Sequence, residues 1–393
     1  CNIAYCAGGL VGAGECNRAC GAHSSIIGGC INKICGATSC NSTIVGGLSS
    51  CVTGRFNFIG SGTQNYISNT EGTAVIGGTK NRTEADNAFI GGGCCNIVDS
   101  SSCSSFVGSG CQNQLTSAAD SILIGGASNC IASSSKSFIG GGDANCVSSA
   151  AGSVIVGGAS NRTLAACAAV VGGSGNKACV ALAAVVGGKD NVANAGCAFV
   201  GGGNSNCAGG ALGFVGGGTT NKVGVDGDCA AVVGGQTNCA LSAHAIVGGG
   251  ACNKAGGSCS VIVGGLSSCI FAACNQSFIG GGNSNVVRGQ VTTIVGGSTN
   301  CASAACGFIG GGYNNVICGT TNILSGAHAF IGGGHDNVIS ACHHNAQILG
   351  SQITTVSANM LHAQRLSLSG IPTADPGVTG VVWNDSGALK IST

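Results

Sequence analysis

Residues 329–337 read AFIGGGHDN, and the chain repeats this phrase with small variations. It returns as GFIGGGYNN at 307–315, as SFIGGGNSN at 277–285 and as SFIGGGDAN at 137–145. Aligned on the first Gly of each phrase, 21 copies follow one another between residue 10 and about residue 345, mostly 14 to 18 residues apart. A fixed short period of this kind indicates a repeat architecture, in which each copy contributes one coil to a stack.

Composition supports an ordered repeat. The 393 residues include 75 Gly but only 14 Lys and Arg and 13 Asp and Glu, with a formal net charge of +1. Disordered chains carry few branched apolar residues and a high net charge, and this chain is the opposite in both respects. The sequence has no basic stripe for nucleic acid and no apolar run long enough to span a bilayer. We therefore predict neither a nucleic-acid partner nor membrane insertion.

The length of the repeat limits the shape of a coil. At about 3.3 Å per residue, a coil of about 15 residues is used up by two short strands and two tight turns. The sequence therefore predicts an all-β fold, a narrow parallel β-solenoid of 21 coils, with the apolar triplet of each phrase inside. At about 4.8 Å per coil the shaft is on the order of 100 Å long. Residues 1–345 are predicted to form this shaft.

The phrases have two spellings, a longer and a shorter one. The spelling correlates with the size of the side chain two residues before the first Gly. Eleven copies carry one additional residue, nearly always Gly, and nine of these have Phe two residues before the first Gly, whereas the ten shorter copies have Val, Ile or Leu there. We interpret the additional residue as a bulge that makes room for a ring in the core, because Gly in strands marks bulges and close backbone approach. The predicted core rings are Phe58, Phe89, Phe106, Phe138, Phe199, Phe214, Phe278, Phe308 and Phe330.

Nearly every phrase closes on Asn. An Asn at one position per coil can stack into a ladder, because its amide bonds neighbouring backbone and Asn tolerates left-handed conformations. The alternative, a row of Asn-lined ligand sites, would require many copies of one functional residue. The predicted ladder comprises Asn17, Asn32, Asn65, Asn81, Asn96, Asn113, Asn129, Asn145, Asn161, Asn176, Asn191, Asn206, Asn221, Asn238, Asn253, Asn285, Asn300, Asn315 and Asn337, with Ser50 and Ser268 in the two remaining copies.

The 28 cysteines contain no C-x-x-C pair. Several occupy the same position in adjacent repeats, counted from the ladder residue, and stacked coils would bring their Cα atoms to about 5 Å, within disulfide range. The predicted disulfides are Cys20–Cys35, Cys94–Cys111, Cys130–Cys146 and Cys259–Cys274. Bridges between chains and buried unpaired thiols are the alternatives.

The remaining chemistry of the sequence is sparse. Cys342, His343 and His344 form the one local cluster of metal-ligand type, but adjacent strand residues point apart, so we predict no metal and no cofactor. Paired carboxylates and phosphate-binding loops are absent from the sequence, which argues against an enzyme. The sequons at Asn41, Asn275 and Asn384 lie outside the ladder and are candidate glycosylation sites, whereas Asn81 and Asn161 belong to the ladder.

The repeat pattern ends near residue 345. Residues 346–370 are predicted to form a transition or trimerising segment. Residues 371–393, IPTADPGVTGVVWNDSGALKIST, contain both Pro residues and the one Trp, and the turn residues predict a β-hairpin cap.

Two resemblances extend these predictions. The phrases SFIGGGNSN and AVVGGSGN resemble the head repeats of trimeric autotransporter adhesins and the Gly-Gly-Gly-x-x-Asn arrays of bacterial and viral fibres, which implies a left-handed β-roll assembled as a homotrimer. The segment at 371–393 resembles the ends of tail-fibre and surface-fibre proteins of bacteriophages and large DNA viruses, which implies a trimer-closing or attachment tip. We therefore expect an extracellular structural fibre or spike on a virion surface, disulfide-stiffened and attached to a host receptor or glycan. The alternatives are a bacterial trimeric surface adhesin and an extracellular filament subunit.

Overall fold

The structure, a computed structural model, describes residues 1–36, 38–319, 327–365, 369, 371–374, 376–379, 381–385 and 388–391; for residues 383–385 and 388–389 it describes the backbone alone. The described chain is all-β. It forms a parallel β-solenoid of about 24 turns without a helix. The predicted fold class is therefore confirmed at this level.

Nearly every turn contributes one strand to each of two sheets. Sheet 1 contains the strands that begin each Gly-rich phrase, and sheet 2 contains the strands that follow the closing Asn. The described strands of sheet 1 are Leu10–Val11, Ser25–Ile26, Thr43–Ile44, Phe58–Ile59, Ala74–Val75, Phe89–Ile90, Phe106–Val107, Ile122–Leu123, Phe138–Ile139, Val154–Ile155, Ala169–Val170, Ala184–Val185, Phe199–Val200, Phe214–Val215, Ala231–Val232, Ile246–Val247, Val261–Ile262, Phe278–Ile279, Thr293–Ile294, Phe308–Ile309, Phe330–Ile331, Gln347–Leu349 and Leu361–Ala363. The described strands of sheet 2 are Ile3–Ala4, Arg18–Ala19, Lys33–Ile34, Cys51–Arg55, Tyr66–Glu71, Arg82–Thr83, Ile97–Val98, Gln114–Thr116, Cys130–Ala132, Cys146–Ser148, Arg162–Thr163, Lys177–Ala178, Val192–Ala193, Cys207–Ala208, Lys222–Val223, Cys239–Ala240, Lys254–Ala255, Cys269–Ile270, Val286–Val287, Cys301–Ala302, Val316–Ile317 and Val338–Ile339.

Each of these strands pairs with the equivalent strand of an adjacent turn. Phe138, for example, lies between Ile122 and Val154 in sheet 1, with all three strands parallel. In sheet 2, Cys146 lies between Cys130 and Arg162 in the same way. Both sheets therefore grow along the solenoid axis, and residues at one repeat position form a continuous column.

The core lies between the two sheets and takes one side chain from each strand. In the turn that contains Phe138, these side chains are Ile139 and Val147, and both are fully buried. Their strand neighbours point to the opposite side, because successive strand residues alternate between the faces of a sheet. The result is a thin core of stacked Ile, Val, Leu and Ala.

The stack continues beyond the predicted shaft boundary at residue 345. Gln347–Leu349 pairs in parallel with Phe330–Ile331, and Leu361–Ala363 pairs with Gln347–Leu349. The ladder contact continues as well, since the Ile353 N–H donates to Asn337 Oδ1 at 3.1 Å. The boundary was placed too early because the Gly-rich phrase stops while the strand pairing continues.

The C-terminal segment contains an antiparallel pair. Val382–Asp385 lies against Ala388–Ile391, with Val382 opposite Ile391 and Asp385 opposite Ala388. This pair lies where the turn residues predicted a hairpin, and it is separate from the two parallel sheets.

Candidate functional site

The ladder asparagines are buried and bridge adjacent turns. Asn145 donates from Nδ2 to the carbonyl oxygen of Gly141 in its own turn at 2.9 Å, and to that of Gly158 in the next at 2.8 Å. Its Oδ1 accepts the N–H of Asn161 at 3.0 Å. The equivalent Asn of the other phrases is also buried. Internal hydrogen bonds therefore occupy the amide groups of these side chains. Because the side chains are buried, a ligand cannot contact them, which argues against the alternative of Asn-lined ligand sites.

The last Gly before each Asn has a conformation that only Gly adopts easily. Gly142 has φ of +92°, and a Cβ placed on it would lie 2.0 Å from the Gly158 carbonyl oxygen and 2.7 Å from Asn145 Nδ2. A side chain at this position would therefore break the Asn hydrogen bonds as well as strain the backbone.

A second, shorter ladder lies at the other inner corner, and the sequence analysis missed it. The N–H of Ser137 donates to Ser121 Oγ at 3.1 Å, and Ser137 Oγ in turn accepts the N–H of Ser153 at 3.3 Å. These buried residues directly precede the strands of sheet 1. The signal was the small residue, most often Ser or Ala, that directly precedes nearly every strand of sheet 1, and the sequence analysis gave it no role.

The prediction that the Phe rings fill the core is wrong. Phe58 and Phe214 are exposed by 36% and 39%, and the other seven rings are only half-buried. Successive side chains of a strand point to opposite faces of the sheet, and the middle residue of each apolar triplet points outward. The residues on either side of it are therefore the buried ones. The buried partner of Phe138, for instance, is Ile139.

The inserted residue that we predicted is also absent. Ala74 pairs with Phe89 in register, and Thr79, further along the same phrase, pairs with Cys94. The two spellings are therefore equally long between these positions. They differ at one position, where the shorter spelling has Ile76 and the longer spelling has Gly91. The Phe89 ring lies over Gly91, and its Cε1 atom is 3.4 Å from the position that a Cβ on Gly91 would occupy.

This exchange makes the outer face of sheet 1 uncharged and largely apolar. Most turns present either a ring over a Gly or two smaller side chains, such as Val154 and Val156, which are 37% and 49% exposed. Rings in neighbouring turns stack, as in Phe89 with Phe106 at 5.1 Å between centroids. We call this surface the apolar face. Its central column consists of Leu10, Ser25, Thr43, Phe58, Ala74, Phe89, Phe106, Ile122, Phe138, Val154, Ala169, Ala184, Phe199, Phe214, Ala231, Ile246, Val261, Phe278, Thr293, Phe308 and Phe330, none of them charged.

The outer face of sheet 2 points the other way and has a different chemistry. Its column contains seven of the chain's 14 Lys and Arg residues and seven cysteines. The cations are Arg18, Lys33, Arg82, Arg162, Lys177, Lys222 and Lys254, and the thiols are Cys51, Cys130, Cys146, Cys207, Cys239, Cys269 and Cys301. We call this surface the thiol face. The two sheets therefore present an uncharged apolar surface and a basic one on opposite sides.

The predicted disulfides have different outcomes. Cys94 and Cys111 form a disulfide between adjacent turns, with Cα atoms 4.6 Å apart. Cys130 and Cys146 lie directly opposite each other in register and are free thiols.

Cys20 and Cys35 are also free thiols, and they do not bond to each other. Arg18 Nε donates to Cys20 Sγ at 3.2 Å. Cys35 instead raises the pKa of Cys51 in the following turn, after the larger effect of burial.

The Cys259–Cys274 prediction is wrong. Cys259 is exposed and lies in a left-handed corner position that the next turn fills with Gln276, whereas Cys274 is buried. Counting from the ladder residue failed because the loops differ in length. Six residues separate Lys254 from the buried Ser260, but eight separate Cys269 from the equivalent Ser277.

Two of the three candidate glycosylation sites lie at the surface. Asn41 and Asn275 are exposed, although Asn275 Oδ1 accepts the Ser258 N–H at 3.0 Å. The side chain of Asn384 lies outside the described residues. His343 Nδ1 lies 2.6 Å from Thr355 Oγ1, and no group of three or more metal-ligand side chains is found in the part of the chain that the structure describes.

Comparison with known proteins leaves the family open. No protein-family model matches the sequence, and no curated protein matches it significantly. Among the described residues, no helix is long and apolar enough to cross a membrane.

Proposed function

We propose that this chain is the shaft of a structural fibre, built from copies of itself that associate through the apolar face. The observation that carries the proposal is the uncharged column from Leu10 to Phe330, which runs along nearly the whole solenoid. Soluble monomers rarely expose contiguous apolar patches of more than a few hundred Å².

The dimensions of the apolar face suit a second copy. At about 4.8 Å per turn, 21 turns give a face about 100 Å long, and with a width of about 10 Å it covers on the order of 1,000 Å². A standard protein interface buries about 800 Å² on each partner, and its centre is depleted of charged residues. A partner with the same repeat distance matches this face along its whole length, and another copy of the chain has that repeat.

A closed ring of three copies is the arrangement we propose. Cyclic symmetry would bury the apolar face of every copy around one axis and leave the thiol face toward solvent. The left-handed coil, the homotrimer and the capping role of the C-terminal hairpin are supported by the resemblance to fibre and adhesin repeats. Placement on a virion surface and a role in host attachment are supported by the resemblance of residues 371–393 to viral fibre ends.

Charge substitution on the two faces tests the association. Val156→Lys places an ammonium group in the middle of the apolar face, where burial against a second copy would be costly. Val316→Lys places the same group on the thiol face, between Cys301 and Val338, and is the matched control. The mass of the full chain in solution, measured by light scattering under reducing conditions, is the readout.

We expect the unmodified chain and Val316→Lys to have about three times the mass of 37.4 kDa. Val156→Lys should shift the mass toward the monomer and retain its β-sheet circular dichroism. A monomeric unmodified chain, or equal masses for the two variants, would refute association through the apolar face.

A further inference from the structure

Cys130 and Cys146 differ from the other thiols of the thiol face in having each other as direct neighbours. They are opposed in register in adjacent parallel strands. Cys207, Cys239, Cys269 and Cys301 instead lie in alternate turns, with Lys222, Lys254 and Val286 between them. Two turns correspond to about 9.6 Å, which is beyond the Cα separation of a disulfide.

The backbone geometry of the Cys130 and Cys146 pair already matches that of a bridge. Cys94 and Cys111 are likewise opposed in adjacent parallel turns, and they form a disulfide with Cα atoms 4.6 Å apart. Adjacent strands in any sheet are about 4.8 Å apart, so Cys130 and Cys146 need no backbone movement to join.

The surroundings distinguish the two sulfurs. The neighbouring Cys130 side chain, and then Arg162 directly opposite in the next turn, lower the pKa of Cys146 to about 7 despite partial burial. The same contact and burial raise the pKa of Cys130. Gln114, on the other side of Cys130, is neutral, and so are Ala132 and Ser148, which follow on the same strands.

Both thiols are partly accessible, and a groove adjoins Cys130. An open groove of about 440 Å³ lies beside Cys130 and is lined by Ile97, Gln112, Gln114 and Ser128 among others. Cys130 and Cys146 themselves are partly exposed.

We propose that Cys130 and Cys146 are a thiol–disulfide exchange site, in which Cys146 attacks a small-molecule disulfide of the glutathione type and Cys130 completes a second bridge between turns. The Cys146 thiolate bonds to one sulfur of the reagent and expels the other as a thiolate. Cys130 then loses its proton, attacks the Cys146 sulfur and expels the second small thiolate, which takes up a proton from solvent. The two protein sulfurs lose two electrons, and the reagent is reduced to two thiols.

The site faces away from the apolar face, so the bridge can close after copies have assembled. It joins one turn to the next, as the Cys94–Cys111 disulfide does, and it therefore stiffens the shaft without joining chains. This inference depends on the arrangement of sheet 2 and stands whether or not the chain forms a trimer.

Timed exchange with oxidised glutathione tests the site. The full chain, reduced and freed of reductant, is incubated at pH 7 with oxidised glutathione, quenched with N-ethylmaleimide, and mapped by peptide mass spectrometry. At this pH Cys146 should react about tenfold faster than Cys207, whose pKa burial raises, since a larger thiolate fraction outweighs a lower intrinsic nucleophilicity. The Cys130–Cys146 cross-link should accumulate first.

Two variants assign the roles. Cys130→Ser should trap glutathione on Cys146, whereas Cys146→Ser should leave Cys130 largely unmodified; circular dichroism checks that both variants fold. Cys239→Ser is the control and should leave the cross-link unchanged. Preferential trapping on Cys130, or modification of Cys146 at the rate of Cys207, would overturn the assignment, and so would failure of the unmodified chain to form the cross-link.

Discussion

Phe138 and Gly140 share one outward-facing site on the apolar face. A Cβ placed on Gly140 would lie 3.3 Å from Cε1 of the Phe138 ring and 2.4 Å from the carbonyl oxygen of Val156 in the next turn. All nine Phe turns repeat this relationship, with distances of 3.2 to 3.5 Å between the ring atom and the Cβ position. The correlation between Phe and an additional Gly in the sequence is therefore a constraint on the surface, not on the core.

Gly140→Val should destabilise the solenoid. The new side chain meets backbone as well as the ring, and we expect the free energy of unfolding to fall by about 2 kcal/mol. Val156→Gly, the opposite change in the neighbouring turn, removes an exposed side chain without a clash and should cost about 1 kcal/mol or less. The double variant Phe138→Ala/Gly140→Val should recover only part of the loss, because the carbonyl contact remains. Urea unfolding measures all three, and equal costs for the two single variants would contradict this account.

Asn145→Ala should be among the most damaging single substitutions. It removes two partly buried side-chain hydrogen bonds and the buried acceptor for the Asn161 N–H, and it leaves the partner backbone groups unsatisfied, at a cost of about 3 kcal/mol. Asn145→Ser should cost less, since Ser50 and Ser268 fill ladder positions and accept the next N–H. Asn204→Ala, on an exposed corner, is the control and should change stability by less than about 0.5 kcal/mol. Similar losses for Asn145→Ala and Asn204→Ala in thermal unfolding would rule out the ladder as a main support.

Thr163→Val should stabilise the protein. Among the described residues, Thr163 Oγ1 is the buried side-chain polar atom without a hydrogen-bond partner, and Thr163 occupies a core column of sheet 2. Valine has nearly the same shape, so we expect a gain of about 1 kcal/mol in the free energy of unfolding. Thr83 occupies the same column, but its Oγ1 accepts the Ala85 N–H at 3.4 Å. Thr83→Val should therefore gain less, and an equal gain would show that the missing partner is irrelevant.

Stability should decline at alkaline pH. Burial, and then the neighbouring Cys35, raise the pKa of Cys51 to about 11 from an ordinary value of 9.0. Between these values the folded chain retains a proton that the unfolded chain has lost, so the contribution is complete below about pH 9 and is lost as the pH rises through 11. Melting temperatures at pH 8, 10 and 11 under reductant should fall, and Cys51→Ser should make the decline less steep. Gln114→Ser, at a position of the same column that does not titrate, should leave the pH dependence unchanged; an identical effect of the two variants would exclude Cys51 as a source.

Several features were predictable because they depend on period alone. The spacing of the phrases specified a parallel stack, and parallel stacking places Asn145 on Asn129 and Cys94 against Cys111 without further information. The ladder was predictable because Asn recurs at one position of the repeat. The burial of these Asn side chains follows from the geometry of the turn. The Cys259–Cys274 prediction failed where loop length broke the period.

The sequence by itself therefore determined which residues stack on one another, because backbone pairing between equal repeats sets that relation locally. Only the tertiary structure decided which side of each strand faces the core. Strand side chains alternate with a period of two, so a shift of one residue exchanges inside and outside for the whole strand. Because of this alternation, Phe138 lies on the apolar face and not in the predicted core, and Ile139 lies inside. The aromatic rings are therefore at the surface of this protein and not in its interior.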